Sequence, residues 1–323
     1  MQKKALIVGI NAYHNAPLHG CCNDADSVAQ LLERNEDGTP NFAVRKELDV
    51  PTLKDLRKML RDLFTGSSDV ALFYFSGHGF LNEEGGYLVL PDFDDGEEGL
   101  RTKELLEMAN ASSAGDRIII LDCCYAGDIA NGRQEQSGPP PIKRGTTILA
   151  ACREKEVSLE CERHGVFTSL LLAGLNGGAA GITGAVTPGG IYAYIDRSLD
   201  AWQQRPIFVT NVSNFIPVRT CKPPVSHDIL RKIPQYFTSP DYEFNLDPSY
   251  EDTNSPIVKH DILEPYAEAK NVAIFKELQE LQRVGIVVPV DEQYMYFAAM
   301  HSKSCKLTPL GRHFWEVAKK GLI

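Results

Sequence analysis

The sequence lacks the residue spacings of a disulfide framework or of a structural zinc site. Its eight cysteines include no CxxC pair and no zinc-type combination with histidine. Four of them form two adjacent pairs, Cys21 with Cys22 and Cys123 with Cys124, and neighbouring cysteines rarely close a disulfide with each other. We therefore expect free thiols in a reducing compartment.

A long apolar segment is also missing. After the first residues only six apolar residues follow, at positions 5–10, which is too few for the apolar core of a signal peptide. The one long uncharged stretch, residues 165–195, contains eight glycines and therefore predicts a short buried helix followed by loops. These absences lead us to expect a cytoplasmic protein that makes no contact with a membrane.

Basic charge is in deficit. Lys and Arg number 33 against 43 Asp and Glu, which gives a formal net charge of −10. An acidic protein is poorly suited to wrap a polyanion, so nucleic acid is not an expected partner. The same balance favours basic ligands or substrates wherever carboxylates converge in a cleft.

What the sequence does contain is the pattern of a two-domain α/β protein. A length of 323 residues predicts about two domains. In residues 1–218 short apolar runs alternate with helical patterns, which predicts a mostly parallel sheet flanked by helices. The predicted strands are Ala5–Gly9, Val70–Ser76, Arg117–Asp122, Thr146–Ala150 and Pro206–Val209, and the predicted helices are Asp24–Glu33, Leu53–Phe64 and Thr168–Leu175.

The C-terminal third has a different pattern. Prolines accumulate and long periodicity is lost, so residues 219–255 are predicted to be a linker. Residues 256–323 then combine a helix, an apolar run, a polar turn and a final helix opened by Leu307-Thr308-Pro309-Leu310-Gly311, an order that resembles a small winged-helix domain. From Glu251 onward nine Lys and Arg accompany ten Asp and Glu. A DNA-reading winged helix is usually basic, so docking of a regulatory protein is the expected role of this domain.

Reactive residue types follow two of the predicted strands at their carboxyl ends. Val70–Ser76 is followed by Gly77-His78-Gly79, and Arg117–Asp122 by Cys123-Cys124-Tyr125-Ala126-Gly127. In an open parallel sheet, loops converge on a ligand at the carboxyl ends of strands. An imidazole beside a thiol activates it as a nucleophile, so His78 and Cys124 are a candidate catalytic pair. Taken singly, each has a plainer interpretation, as a satisfied loop histidine and a small buried side chain.

These segments carry a family resemblance. Phe75-Ser76-Gly77-His78-Gly79 and Asp122-Cys123-Cys124-Tyr125-Ala126-Gly127 closely resemble the His and Cys motifs of the caspase-like cysteine peptidases, in particular the metacaspases and their prokaryotic relatives. Three further segments support the resemblance, which spans Lys3 to Val218: Ala5-Leu6-Ile7-Val8-Gly9-Ile10-Asn11, Gly20-Cys21-Cys22-Asn23-Asp24-Ala25 and Gly165-Val166-Phe167-Thr168-Ser169-Leu170-Leu171. This chain departs from the family at Tyr125-Ala126, where His-Ser is usual.

The resemblance implies a cysteine endopeptidase of caspase-like fold that requires no organic cofactor. Cys124 occupies the nucleophile position of the family pattern, directly before the x-x-Gly turn, and His78 the position of the general base. Backbone amides near Gly79 and Cys124 would hold the oxyanion. Protein substrates are the implied partners, and small prokaryotic members often belong to defence or cell-death systems.

The resemblance also implies which residues surround the side chain that precedes the cut. They are Cys21, Asp24, Ser76 and Asp122. Two carboxylates there predict cleavage after Arg, with Lys second, because a guanidinium pairs with carboxylates through charge-assisted hydrogen bonds. An aspartate side chain would be repelled by both. For Asp24 the alternative is a helix N-cap before the predicted helix.

Two alternative functions stay open. Cys123 and Cys124 together could act as a vicinal redox pair. Alternatively, the caspase-like part could be an inactive regulator or adaptor that works through the C-terminal domain. Intact His78 and Cys124 favour the peptidase.

Two lesser predictions concern loops. The acidic run at Asp92, Asp94 and Asp95 could bind calcium, although it is one residue short of EF-hand spacing and acidic runs are usually solvated. Arg133, Lys143 and Arg144 lie in the loop sequence after the nucleophile and are candidate self-cleavage sites, with Arg231-Lys232 as a second candidate. Their alternative role is plain solubilising charge.

Overall fold

The computed structural model describes residues 1–93, 99–124, 129, 142–151, 164–199, 205–255 and 262–323. The chain divides into two compact units, residues 1–222 and 223–323. The division falls four residues beyond the predicted boundary at 218, after the short strand that closes the first unit.

The first unit is an α/β structure. Its strands are β1 (Lys3–Gly9), β2 (Ala43–Leu48), β3 (Val70–Ser76), β4 (Gly79–Asn82), β5 (Gly85–Leu88), β6 (Leu100–Arg101), β7 (Asp116–Asp122), β8 (Thr146–Ala150), β9 (Ala185–Val186), β10 (Ile207–Asn211) and β11 (Arg219–Thr220). Its described helices are α1 (Cys21–Glu33), α2 (Leu53–Phe64), α3 (Thr102–Ala111), α4 (Val166–Ala173) with a π-helical turn (Gly174–Gly178), and α5 (Pro188–Ser198).

Six of these strands form one sheet in the order β10-β8-β7-β3-β1-β2. All neighbours run parallel except β10, which is antiparallel to β8. Every residue of β3 is buried, as expected for a central strand covered by helices on both faces. The predicted mostly parallel sheet flanked by helices is confirmed. The register pairs Ser76 with Asp122, so β3 and β7 end side by side.

The side chains of this sheet divide between two buried clusters. One contains Phe73, Phe75, Leu121 and Cys123 together with apolar residues of α2 and α3. The other contains Tyr74 and Ile118 and Ile120 together with apolar residues of α1, α4 and α5. Successive residues of a strand point to opposite faces, which explains this alternation.

Two kinds of element were not predicted. Strand β2, with the sequence Ala-Val-Arg-Lys-Glu-Leu, lies at the sheet edge and is largely exposed, so it lacks an apolar run. Helices α3 and α5 are short and have buried faces interrupted by polar residues or glycine. Residues 165–195 form α4, the π-helical turn, β9 and most of α5. In the described ranges, no helix has both the length and the apolar character to cross a bilayer.

The second unit combines helices with a small sheet. Its elements are α6 (His227–Tyr236), β12 (Glu243–Asn245), a 3-10 turn (Pro248–Tyr250), α7 (Ala269–Arg283), β13 (Val287–Pro289), α8 (Met295–Met300), β14 (Ser304–Leu307) and α9 (Pro309–Lys319). The strand order is β12-β14-β13, and both pairings are antiparallel. A winged helix stays a prediction for this unit.

Residues 219–255, predicted to be a linker, instead contain folded elements. They include β11 of the first unit and α6 and β12 of the second. The prolines misled the prediction because they occur within folded elements: Pro248 opens the 3-10 turn, and Pro234 lies inside α6, two residues before its end. Ser226 caps α6 by accepting a hydrogen bond from the Ile229 amide.

Candidate active site

The backbone at His78 is held by Tyr13. The Tyr13 hydroxyl accepts the His78 backbone N–H at 2.9 Å and donates to the Val89 carbonyl at 3.1 Å, while the Val89 amide donates to the His78 carbonyl at 3.0 Å. The two rings lie 4.5 Å apart between centroids. Burial raises the pKa of Tyr13 well above its ordinary value, so this hydroxyl keeps its proton. These bonds fix the backbone at His78.

The imidazole of His78 has one nitrogen engaged. Its Nε2 lies 2.7 Å from the carbonyl oxygen of Ala16. A carbonyl can only accept, so Nε2 carries the proton of the neutral ring and the lone pair is on Nδ1. This leaves Nδ1 as the basic nitrogen.

Cys124 and Cys123 follow β7 but differ in exposure. Cys123 is 2% exposed and belongs to the cluster with Phe75 and Leu121, whereas Cys124 is partly exposed. The alternation along β7 accounts for this, because Leu121 and Cys123 share one face and Asp122 continues the other. Of the two adjacent thiols, Cys124 is the one that solvent can reach.

The loop after β3 touches the end of β7. The Gly77 amide lies 3.4 Å from the Asp122 carbonyl. A Cβ on Gly79 would overlap the carbonyl oxygen of Cys124, so only glycine permits this approach. The structure thus brings His78, Gly79 and Cys124 to one place at the ends of adjacent strands. Residues 125–128, the rest of the predicted nucleophile turn, lie outside the described residues.

Two carboxylates lie buried beside these strand ends. Asp24, on α1, is 2% exposed, and Asp122 is 5% exposed. The Asp24 Oδ2 accepts a hydrogen bond from Ser76 Oγ at 3.0 Å, and Asp122 Oδ2 accepts one from Thr168 Oγ1 at 2.7 Å. Thr168 is held in turn by the Tyr74 hydroxyl at 2.6 Å. Hydroxyl donors therefore orient both acids.

Asp24 and Asp122 raise the energy of each other's charged form, because both acids are buried. Burial, and then the nearby charge of Asp122, raise the pKa of Asp24 to about 6. Burial also raises the pKa of the Cys21 thiol to about 12, a rise opposed by its hydrogen bond with Ser76 and reinforced by both aspartates. Cys21 is consequently a neutral thiol at pH 7. A cation that entered would relieve the repulsion between the two acids.

All four predicted pocket residues thus meet, but the N-cap alternative for Asp24 is wrong. Helix α1 begins at Cys21, and its first amides are capped by the Asn11 side chain, whose Oδ1 accepts from Cys21 N at 3.0 Å and Cys22 N at 3.3 Å. Asp24 lies one turn further on, where its carboxylate points to Ser76 and His164.

The predicted calcium residues are only partly described. Asp92 Oδ2 accepts the backbone N–H of Leu53 at 3.0 Å, which stabilises the start of α2. Asp94 and Asp95 lie outside the described residues. Across the part of the chain that is described, no cluster of three or more His, Cys, Asp or Glu side chains is arranged to hold a metal ion.

The structure describes only some of the candidate self-cleavage residues. Arg133 lies outside the described residues, whereas Lys143 and Arg144 are described and exposed. The Arg144 carbonyl accepts a hydrogen bond from the buried Arg117 guanidinium, and the next residue, Gly145, is buried with φ +86°. The bond between Arg144 and Gly145 is therefore part of a tight turn.

Sequence reasoning missed several residues of the site. Ala16 acts through its backbone, which leaves no trace in its side chain. Tyr13 and Thr168 act through hydroxyls that reach distant residues. His164, whose Nδ1 lies 2.7 Å from Asp24 Oδ1, directly precedes a segment that carried the resemblance. That adjacency was the one available signal.

Comparison with known proteins gives a match to a protein family. A family described as the caspase domain, peptidase C14, matches residues 2–207. No curated protein matches the chain. The matched region contains all of the strand ends and helices that build the site, and the chain belongs to the caspase-domain family of cysteine peptidases.

Proposed function

We propose that this protein is an endopeptidase that uses His78 and Cys124 to hydrolyse peptide bonds after arginine, with lysine second. The observation that carries the proposal is the pair of buried carboxylates, Asp24 and Asp122, beside the strand ends that precede His78 and the partly exposed Cys124. A buried acidic pocket next to a nucleophile favours a substrate with a basic side chain before the scissile bond.

The geometry of His78 supports its role as the base. With its Nε2 proton held by the Ala16 carbonyl, Nδ1 accepts the proton of the Cys124 thiol. The thiolate sulfur attacks the carbonyl carbon, a C–S bond forms, and the carbonyl π electrons move to oxygen. Backbone amides near Gly79 and Cys124 donate hydrogen bonds to that oxygen.

The imidazolium then acts as an acid. When the tetrahedral adduct collapses, the C–N bond breaks and His78 gives its proton to the leaving amine. The product is a thioester on Cys124. A water molecule, deprotonated by His78, attacks the thioester, and the thiol and the new carboxyl terminus are released. The cycle consumes one water and needs no organic cofactor.

The pocket explains the preference between substrates. A guanidinium presents paired N–H donors to Asp24 and Asp122, whereas a lysine ammonium binds as a point charge. With the pKa of Asp24 at about 6, that carboxyl is ionised at neutral pH. An aspartate in the same place would meet two like charges and lose its hydration.

Four matched peptides test the proposal, with Arg, Lys, citrulline or Asp before the scissile bond. Citrulline copies the shape of arginine without its charge. We expect the order Arg, Lys, then citrulline and Asp, and no cleavage by the Cys124→Ala variant. Equal rates for Arg and Asp peptides would contradict the pocket assignment. An arginine acyloxymethyl ketone should label Cys124, and a protein that acts only as an adaptor would stay unlabelled.

We also propose self-processing in the loop after the nucleophile, with Arg133 as the preferred site over Arg144. A peptidase binds its substrate extended, but the Arg144 carbonyl is held by Arg117 and Gly145 is buried. Arg144→Ala should therefore leave the fragment pattern on a gel unchanged, whereas Arg133→Ala should remove the main product. Cys124→Ala separates self-processing from a contaminating protease. Loss of the main product in Arg144→Ala would refute the preference.

Calcium dependence and the role of the second unit are further proposals. Calcium binding at Asp92, Asp94 and Asp95 would appear as a cleavage rate that falls with EGTA and returns with added Ca²⁺.

The near balance of charge from Glu251 onward favours docking of a regulatory protein over DNA binding. A defence or cell-death role, drawn from the family resemblance alone, predicts a phage-survival difference between cells that express the wild type and the Cys124→Ala variant.

A further inference from the structure

His164 makes a contact that the proposed reaction does not use. Its Nδ1 lies 2.7 Å from Asp24 Oδ1, while Ser76 donates to the other oxygen of the same carboxylate. The imidazole is 26% exposed and the Asp24 side chain 3%. His164 therefore reaches from the surface to a buried acid of the pocket.

The groups that face Asp24 make this contact consequential. Asp122 faces it from β7 and Tyr74 from β3, while Cys21 lies one turn earlier on α1. Carboxyl, phenol and thiol groups carry no positive charge, and the negative charge of Asp24 raises the pKa of both Tyr74 and Cys21. His164 is the basic group of this set, and the carboxylate must receive its Nδ1–H because an ionised carboxylate can only accept.

We propose that His164 is a positioning residue of the cation pocket: its Nδ1–H bond keeps Asp24 ionised and directed toward the bound side chain at neutral pH. The inference rests on the proposed function, since it assumes that Asp24 and Asp122 bind a basic side chain. His164 acts through Asp24 and does not touch the reacting atoms.

Removal of the donor should have a defined consequence. Burial and Asp122 raise the pKa of Asp24, whereas the hydrogen bonds from His164 and Ser76 lower it. Without His164 the acid keeps its proton to a higher pH, and a neutral acid attracts a guanidinium poorly. We expect the pH at which half of the cation affinity is lost to rise by about one unit in His164→Leu, so affinity at pH 6 falls up to about tenfold. At pH 9 the two proteins should bind equally.

The test uses the full-length chain with Cys124→Ala, which prevents self-cleavage. Calorimetry measures the binding of benzamidine, a cation that mimics the arginine side chain, and of neutral benzamide, from pH 5.5 to 9. In the enzyme with Cys124 intact, His164→Leu should raise KM for the Arg peptide at pH 6 and leave kcat nearly unchanged. His164→Asn keeps an amide N–H near the position of Nδ1 and should restore the wild-type pH profile.

His301→Leu is the matched control. It removes an imidazole whose Nδ1 makes the same 2.7 Å contact, with Glu292 at the surface of the second unit, and it should not change the profile. If the Leu variant does not fold, His164→Ala carries the same expectation. The inference is overturned if His164→Leu leaves the pH profile of benzamidine binding unshifted. It is also overturned if benzamidine binds more tightly without the imidazole, a result that would make His164 a competitor for the pocket. If wild-type protein binds benzamidine no better than benzamide, the proposed specificity itself fails.

Discussion

Asp24→Asn should raise the free energy of unfolding of the free protein and lower kcat/KM for an Arg peptide. The folded chain raises the pKa of Asp24 from 3.8 to about 6, chiefly through burial and then through Asp122. Because the pKa is higher in the folded state than in the unfolded state, the contribution of Asp24 to the free energy of unfolding is greatest below about pH 4. That contribution is lost as the pH rises through about 6. The difference of about two pKa units corresponds to about 3 kcal/mol at pH 7. A carboxamide removes that penalty while it can still pair with Ser76 and His164.

The effect on catalysis has the opposite sign. A guanidinium in the pocket of Asp24→Asn loses one of two buried carboxylate partners, a loss of about 3 kcal/mol, or roughly a hundredfold in kcat/KM for an Arg peptide. The rate for the citrulline peptide should change little, because citrulline carries no charge. The variant should therefore show a weaker preference for a charged side chain while it gains stability.

Two measurements check this pair of effects. Urea unfolding of Asp24→Asn and its parent, both with Cys124→Ala, should give a higher free energy of unfolding for the variant at pH 7, and the gap should close near pH 4. Steady-state kinetics with Cys124 intact should give the reduced ratio of Arg to citrulline rates. A variant that is less stable at pH 7, or one that keeps the full ratio, would refute the assignment of Asp24 as a charge held for the substrate.

Two further predictions concern the proposed catalytic pair, His78 and Cys124. Gly79→Ala places a methyl group on the Cys124 carbonyl oxygen, so kcat/KM should fall by roughly a hundredfold. The control is Gly181→Ala, whose methyl group would meet only a carbonyl oxygen at 3.6 Å and which should stay active. An active Gly79→Ala enzyme would show that the two loops are not in contact. Tyr13→Phe leaves the His78 backbone N–H without its acceptor, so kcat should drop by roughly tenfold at nearly constant KM, and a wild-type kcat would exclude the hydroxyl as a support for the base.

The sheet and the meeting of its strand ends were accessible from the sequence because they depend on local patterns. Val70–Phe75 is a continuous apolar run, and its length favours a buried central strand. The resemblance to caspase-like motifs then placed the candidate catalytic residues after the ends of β3 and β7. The exposed strand β2 and the proline-containing helix α6 were missed because their local composition is that of loops.

The supports of the site were out of reach for a different reason. The Ala16 carbonyl, the Tyr13 hydroxyl and the Asn11 cap each join residues through geometry that the chain path creates. A backbone carbonyl carries no sequence signature, and tyrosine or asparagine in a loop has many other uses. Such partners become visible only when the distances between segments are known.

The alternation of β3 and β7 links reactivity to specificity. Tyr74 and Ile120 point to one face, and Ser76 and Asp122 continue that face toward the pocket. Cys124 lies two residues beyond Asp122, just past the end of β7. On the proposed assignment, the substrate side chain reaches from a carbonyl at the Cys124 thiol to the buried Asp122 carboxylate. A long basic side chain suits that assignment, whereas aspartate is shorter and carries the wrong charge. In the proposed function, the strand that ends just before Cys124 thus also contributes to the length and the sign of the side chain that the enzyme accepts.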